Sequence, residues 1–345
     1  MRRFEERAQR QPISIAVSGR YVHVRTVLFL VLLALFFWFG SATAAQFFRP
    51  LSPGNHVIIL THGDRERSAI VHVPPRAIEK PRLPVVLNFH GGGGNGANQQ
   101  DYSLMDQLAD RETFVAVYPN GSGRFQSRLL TWNAGTCCAY SAINNVDDVG
   151  FVIALLKRLE ELIPIDRRRG YATGLSNGAM MAYRLAAEAA DHFAAVAPVA
   201  GGMVVAEIKT SRPVPVMHFH SVDDMRALYN GGLGPPFPLT RSRVFHPNID
   251  ETIARWVDHN GCRTDSRSSR PLTGGVDGKQ TATRYAYYAC RDEAEVVVWK
   301  FTGVGHVWPG GKQNFLPKIL GPSTTIVDAN TEMWRFFSRF QLKSS

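Results

Sequence analysis

Gly170-Tyr171-Ala172-Thr173-Gly174-Leu175-Ser176-Asn177-Gly178-Ala179-Met180-Met181 decides how the rest of the chain is read. Residues 170–173 are apolar or β-branched and read as a buried strand, and residues 179–188 read as a helix of small and apolar residues. Between them, Gly174-Leu175-Ser176-Asn177-Gly178 fits G-x-S-x-G, a sharp strand-to-helix turn that lifts a serine Oγ clear of the backbone. Three fixed residues recur by chance in roughly one chain of this length in ten. The motif therefore needs partners before it means anything.

Working outward, short apolar runs alternate with helical stretches. Strands are expected at 56–60, 68–73, 83–89, 114–118, 193–198, 295–301 and around Val214, Val216, Met217 and Phe219. Helices are expected at 102–110, 146–162, 249–260 and 328–340. Such alternation predicts an α/β fold with a mainly parallel central sheet flanked by helices on both faces. Residues 231–247 and 263–281 lack periodicity and read as irregular rim loops over a cleft.

The partners sit where the chemistry of an activated serine needs them. The run 83–89 ends in His90-Gly91-Gly92-Gly93-Gly94, a loop whose glycines can turn backbone amides toward a developing oxyanion. Gly91 or Gly92 supplies one donor in this reading, and the amide of Asn177, after the serine, supplies the other. An acid follows the strand near residue 219 in His220-Ser221-Val222-Asp223-Asp224, and either aspartate could orient a histidine. The last apolar strand ends in Gly303-Val304-Gly305-His306-Val307-Trp308-Pro309-Gly310-Gly311, which offers His306 as general base. The order serine, acid, histidine is the order this chemistry takes on a strand-to-helix elbow. Trp308 and Trp132 are candidates to line the substrate site, with core packing as the alternative for each. Asp147 and Asp148 stand before the clearest helix and read as its N-cap and first-turn acids.

Several of these segments together resemble one family. His90-Gly91-Gly92-Gly93-Gly94, Trp132-Asn133-Ala134-Gly135 with Cys138, Asp147-Asp148-Val149-Gly150-Phe151, the elbow with Asn177, Tyr229-Asn230-Gly231-Gly232, Asn260-Gly261-Cys262 and the glycine-flanked His306 are similar to the polyhydroxybutyrate depolymerase and feruloyl esterase group of α/β hydrolases. The resemblance runs from about residue 57 to 340. It implies the α/β-hydrolase fold and cleavage of carboxylic esters through Ser176, Asp224 and His306. Counting back from Tyr229-Asn230-Gly231-Gly232, as that family's pattern does, selects Asp224 over Asp223. Met225 stands where the pattern usually has proline. The implied substrates are hydroxyalkanoate oligomers or feruloyl and acetyl esters of polysaccharide. A peptidase of the same fold and a non-catalytic surface binding protein are the alternatives.

Composition limits the rest. The chain has 345 residues, 45% hydrophobic and 20% charged, enough for a sizeable core. Its net charge is +10, of which residues 1–45, with six arginines and two glutamates, carry +4. The remainder has no long basic run, so no nucleic-acid partner is expected. No metal-ligand cluster or phosphate-binding loop stands in the sequence, so no metal or cofactor is expected. Basic residues, an apolar run at 27–39 and Ala42-Thr43-Ala44 give residues 1–45 the order of an export signal. The catalytic domain is then 46–345, extracellular or periplasmic. An uncleaved signal would make it membrane-anchored with the domain exported. Four cysteines suit an oxidising compartment. Cys262 and Cys290 flank a polar excursion and are the preferred pair, a choice the resemblance also supports. A bridge between the adjacent Cys137 and Cys138 would need a distorted peptide.

Overall fold

A computed structural model of the protein describes residues 51–237, 242–264, 267–274 and 278–343. The reading of residues 1–45 as an export signal lies outside the described residues.

The strands that the sequence makes continuously apolar form the centre. Leu83–Phe89 (β3) is buried at every position, as are Val115–Pro119 (β4), Ala195–Val199 (β6) and Val216–Ser221 (β7). With Ile165–Leu175 (β5) and Val296–Thr302 (β12) they make a parallel sheet in the order β4-β3-β5-β6-β7-β12. Strands buried on both faces are mainly apolar, with Asn88, His218, His220 and Ser221 as buried polar exceptions, which is why most were legible as runs rather than alternations.

Antiparallel hairpins extend both edges into one ten-stranded sheet. Gly54–His62 (β1) and Arg65–Val73 (β2) join at β4, while Arg267–Gly274 (β10) and Gln280–Tyr287 (β11) join at β12. The second hairpin corrects the expectation of an irregular loop over 263–281. Its inner strand buries Gln280, Ala282 and Ala286 in a period of two, but the buried side chains are small or polar and leave no apolar signature. Pro271 sits on the outermost strand, the position in a sheet where proline is tolerated. The expected rim loop over 231–247 also contains structure, a two-residue pairing of Gly232–Leu233 (β8) with Phe245–His246 (β9).

Helices cover both faces. Gly96–Ser103 (α1) and Met105–Glu112 (α2) replace the single helix expected at 102–110, because Leu104 between them is left-handed at φ 56°. A short helix, Ala139–Ile143 (α3), precedes Asp148–Glu160 (α4). Asn177–Glu188 (α5) follows the elbow, and Ile249–His259 (α6), Pro317–Leu320 (α7) and Ala329–Phe337 (α8) complete the described helices. Phe151, Leu155, Met181 and Trp256 pack with alternate strand residues such as Ala172 into one core. Leu108, Met333 and Phe336 pack with Tyr171 and its neighbours into the other.

Cys262 and Cys290 are disulfide-bonded. Cys137 and Cys138 are also paired, across a cis peptide bond.

Candidate active site

Ser176 lies at the carboxyl end of β5, with φ 58° and ψ −118°, a conformation that a non-glycine residue rarely holds. Its neighbours explain the flanking glycines. A Cβ on Gly174 would come 2.6 Å from the carbonyl oxygen of Phe89, and one on Gly178 would overlap that same oxygen. The elbow thus packs directly on the end of β3. Among the described residues the Ser176 hydroxyl has no hydrogen-bond partner, and its side chain is half-buried.

The glycine loop sits beside it. A Cβ on Gly91 would lie 3.5 Å from Ser176 Cβ, and one on Gly92 would lie 3.7 Å from Asn177 Cβ. Asn177 opens α5, so its amide is among those without an intrahelical acceptor. The structure therefore brings Gly91, Gly92, Ser176 and Asn177 together, as the sequence reading required. His90 braces the loop. Its Nδ1–H donates to Gly91 O at 2.8 Å, and its Nε2 accepts from Gly121 N–H at 3.0 Å. Burial pushes this imidazole down to about 4, which keeps it neutral in that bridging tautomer.

On the other side of Ser176, the loop after β7 and the loop after β12 meet. His306 Nδ1 and Asp224 Oδ2 are 2.7 Å apart, and both side chains are buried. Asp224 Oδ1 accepts from the amides of Arg226 and Ala227 at 2.7 and 2.8 Å. Burial alone would raise this carboxyl, but His306, His220 and the Ala227 amide outweigh it and hold it below the ordinary range. An ionised Asp224 fixes the proton on Nδ1 and leaves the Nε2 lone pair of His306 free to act as a base. Asp223 points elsewhere and accepts from Gly303 N–H at 2.7 Å.

Two predicted residues are placed differently. Trp132 and Trp308 are 0% and 1% exposed, so neither ring offers a face to substrate. Trp132 Nε1–H donates to His90 O, and its backbone N–H and C=O pair with the Asn177 side chain at 2.7 and 3.1 Å. Trp308 Nε1–H donates to Asn330 Oδ1 at 2.9 Å. Both support the site by packing.

The sequence reading missed a buried string behind Asp224. His220 Nε2–H donates to Ala227 O at 2.7 Å, so its Nδ1 accepts from His218 Nε2–H at 3.1 Å, and His218 Nδ1 accepts from Tyr183 O–H at 2.9 Å. Each acceptor fixes the next tautomer. Burial pushes both imidazoles down, and the string is neutral. His218 and His220 at alternate positions of one strand were the only signal for it. Two concavities of about 560 and 1000 Å³ lie elsewhere, and neither is lined by a candidate site residue.

A parallel sheet carrying a strained serine elbow, a glycine loop and a buried Asp–His pair at its carboxyl edge defines an α/β hydrolase. A family profile described as Esterase PHB depolymerase matches residues 67–265, and the chain belongs to that family of carboxylic ester hydrolases. NocK of Nocardia uniformis subsp. tsuyamanensis, an esterase by name, is 28% identical over 264 residues, covering 74% of this chain and 75% of its own. Feruloyl esterase B of Piromyces equi is 24% identical over 254 residues, covering 72% of this chain, which spans only 44% of that longer protein. In fold, the acetyl xylan esterase from Aspergillus awamori matches with a TM-score of 0.54 at 16% identity, over 82% of this chain and 99% of that one.

Proposed function

We propose that the chain is an exported serine esterase that hydrolyses feruloyl or acetyl esters of polysaccharide or hydroxyalkanoate oligomers. The observation that carries the reading is the buried Asp224–His306 pair at 2.7 Å, on the sheet edge where Ser176 stands beside Gly91 and Asn177. His306 Nε2 takes the Ser176 proton as Oγ attacks the ester carbonyl. The amides of Asn177 and of Gly91 or Gly92 stabilise the oxyanion, each donor worth roughly 10²–10³ in rate. His306 returns the proton to the leaving alcohol oxygen, and an acyl-Ser176 remains. Water, giving its proton to His306, then releases the acid and restores Ser176.

Relatives named for feruloyl and acetyl xylan esters support the polysaccharide substrates, and the family description supports the hydroxyalkanoate ones. Export rests on the order of residues 1–45 alone. Among the described residues no helix is long and apolar enough to cross a membrane.

The test is turnover of methyl ferulate, acetylated xylan and a 3-hydroxybutyrate trimer by the full chain and by Ser176→Ala. The variant should lose activity by orders of magnitude at unchanged thermal stability. A folded, fully active Ser176→Ala protein would overturn the assignment.

A further inference from the structure

The excursion after Asp224 does more than form a rim. Its two described legs, residues 232–237 and 242–246, are stitched by the β8–β9 pairing, by Gly234 N–H to Val244 O at 2.8 Å and by Phe237 N–H to Ser242 O at 2.8 Å. Arg243 Nε–H donates to Gly234 O at 2.9 Å, and Arg226 Nη1 reaches Pro236 O at 3.3 Å. These legs leave the sheet beside β7. Yet the Phe237 ring ends at the opposite side of the serine. A Cβ on Gly92 would lie 3.0 Å from Phe237 Cζ, and one on Gly93 would lie 3.6 Å from its Cε1. In the sheet order β3 and β7 are separated by β5 and β6. Three strand spacings make roughly 14 Å. The arm therefore crosses the edge on which Ser176 stands and sets a half-buried aromatic ring against the glycine loop.

The chemistry assigns that ring a side. His306 must reach the leaving oxygen to protonate it, so the alcohol lies toward β7 and β12. The carbonyl oxygen points to the amides of Asn177 and of Gly91 or Gly92. The acyl substituent takes the third bond of the same carbon, away from His306, and the ring that stands on that far flank of Ser176 is Phe237. An aromatic ring there, with the Arg226 guanidinium 5.9 Å from its centroid, favours a flat aromatic partner in offset or edge contact and has little to offer a two-carbon acyl group. A methyl group at Gly92 would press on the ring tip.

We infer that Phe237 is the wall of the acyl site and a specificity-determining residue, selecting esters of planar aryl acids, of the cinnamic type, over short aliphatic acyl groups. The inference rests on the esterase reading above. It is tested with the full chain as wild type, Phe237→Ala, Phe237→Leu and Phe237→Trp, on methyl ferulate and 4-nitrophenyl acetate. Phe237→Ala and Phe237→Leu should lower kcat/KM for the ferulate about tenfold, chiefly through KM, and change the acetate less than twofold. Phe237→Trp should retain the ferulate activity. Leucine keeps bulk without the ring, so it separates selectivity from a folding defect. Equal losses on both substrates, unchanged ferulate turnover, or a wild type active on acetate but not ferulate would overturn the assignment of Phe237. A wild type that turns over neither ester would instead remove the esterase reading beneath it.

Discussion

Asp223 and Asp224 are adjacent carboxylates that the backbone sends in different directions. Asp224 turns back over its own chain, accepts the amides of Arg226 and Ala227, and faces His306, whereas Asp223 holds the Gly303 amide. Asp224→Asn should therefore lower kcat by roughly 10³–10⁴, because the amide no longer holds the His306 tautomer. Asp223→Asn keeps an acceptor for Gly303 and should cost less than about threefold. Steady-state kinetics on one ester, with melting curves for both variants, reads the difference. Equal effects would mean that the Asp224–His306 bond does not orient the base. From the residues alone the choice stood open, since two acids in one loop can each reach a histidine. Only the family resemblance, through its spacing to Tyr229-Asn230-Gly231-Gly232, separated them, and the physical reason is the two local amide contacts that a sequence does not display. For the tryptophans, burial selects the packing alternative over the substrate-lining one. An aromatic next to a catalytic motif resembles a pocket wall, but Trp132 and Trp308 are sealed in the core, and the half-buried ring at the glycine loop is Phe237, from a segment without any pattern.

Among elements, the long connection from β4 to α4 does most to hold the oxyanion side, with α3 as its one described helix. Its anchor is Asp148 at the start of α4. Asp148 Oδ1 pairs with Arg67 Nη2 of β2 at 2.7 Å, while Oδ2 accepts the Asn133 amide at 2.7 Å. The neighbouring residue, Trp132, is the one that pairs with the Asn177 side chain. Both charges are buried, and burial raises the Asp148 carboxyl and lowers the Arg67 guanidinium despite their mutual attraction. A pair that is costly to bury is worth little net but is damaging to break. Asp148→Ala or Arg67→Met alone should thus destabilise by about 3–5 kcal/mol in urea unfolding, and Arg67→Met with Asp148→Leu should recover much of that loss. Additive losses in the double variant would mean that the two groups are not coupled. The sequence reading of Asp147 as N-cap and Asp148 as first-turn acid holds for both, with Asp147 capping Gly150 N–H at 2.9 Å, but it missed the ion pair. Local pattern exposes caps. It cannot expose a partner 81 residues away. The same limit explains the β10–β11 hairpin, whose partner β12 supplies the apolar contacts its own residues lack.

Across the whole molecule, the fold collects neutral imidazoles. His90, His218, His220 and His246 are all buried and all pushed below the ordinary histidine range, chiefly by burial, with His90 and His246 at about 4. The consequence for stability has a definite sign. Between about 6.5, where a free histidine titrates, and about 4, the unfolded chain binds protons that the folded chain refuses. Stability from these groups is complete above about pH 6.5 and drains away as the pH falls toward 4. For His90 alone the drop of about 2.5 pH units corresponds to about 3 kcal/mol, a sizeable part of a typical domain's stability. Asp224 acts in the same direction at lower pH, since a depressed carboxyl loses its contribution once protonated. The melting temperature should therefore fall steeply from pH 6.5 to 4. His90→Asn removes one titrating ring from the bridge between Gly91 and Gly121, and the variant, although less stable at pH 7, should show a shallower slope. A melting temperature level between pH 7 and 4.5, or parallel slopes for the two proteins, would mean that the buried imidazoles do not govern acid stability. The histidine content was visible in the sequence, but its neutrality was not, because it follows from burial that only the assembled sheet and helices impose.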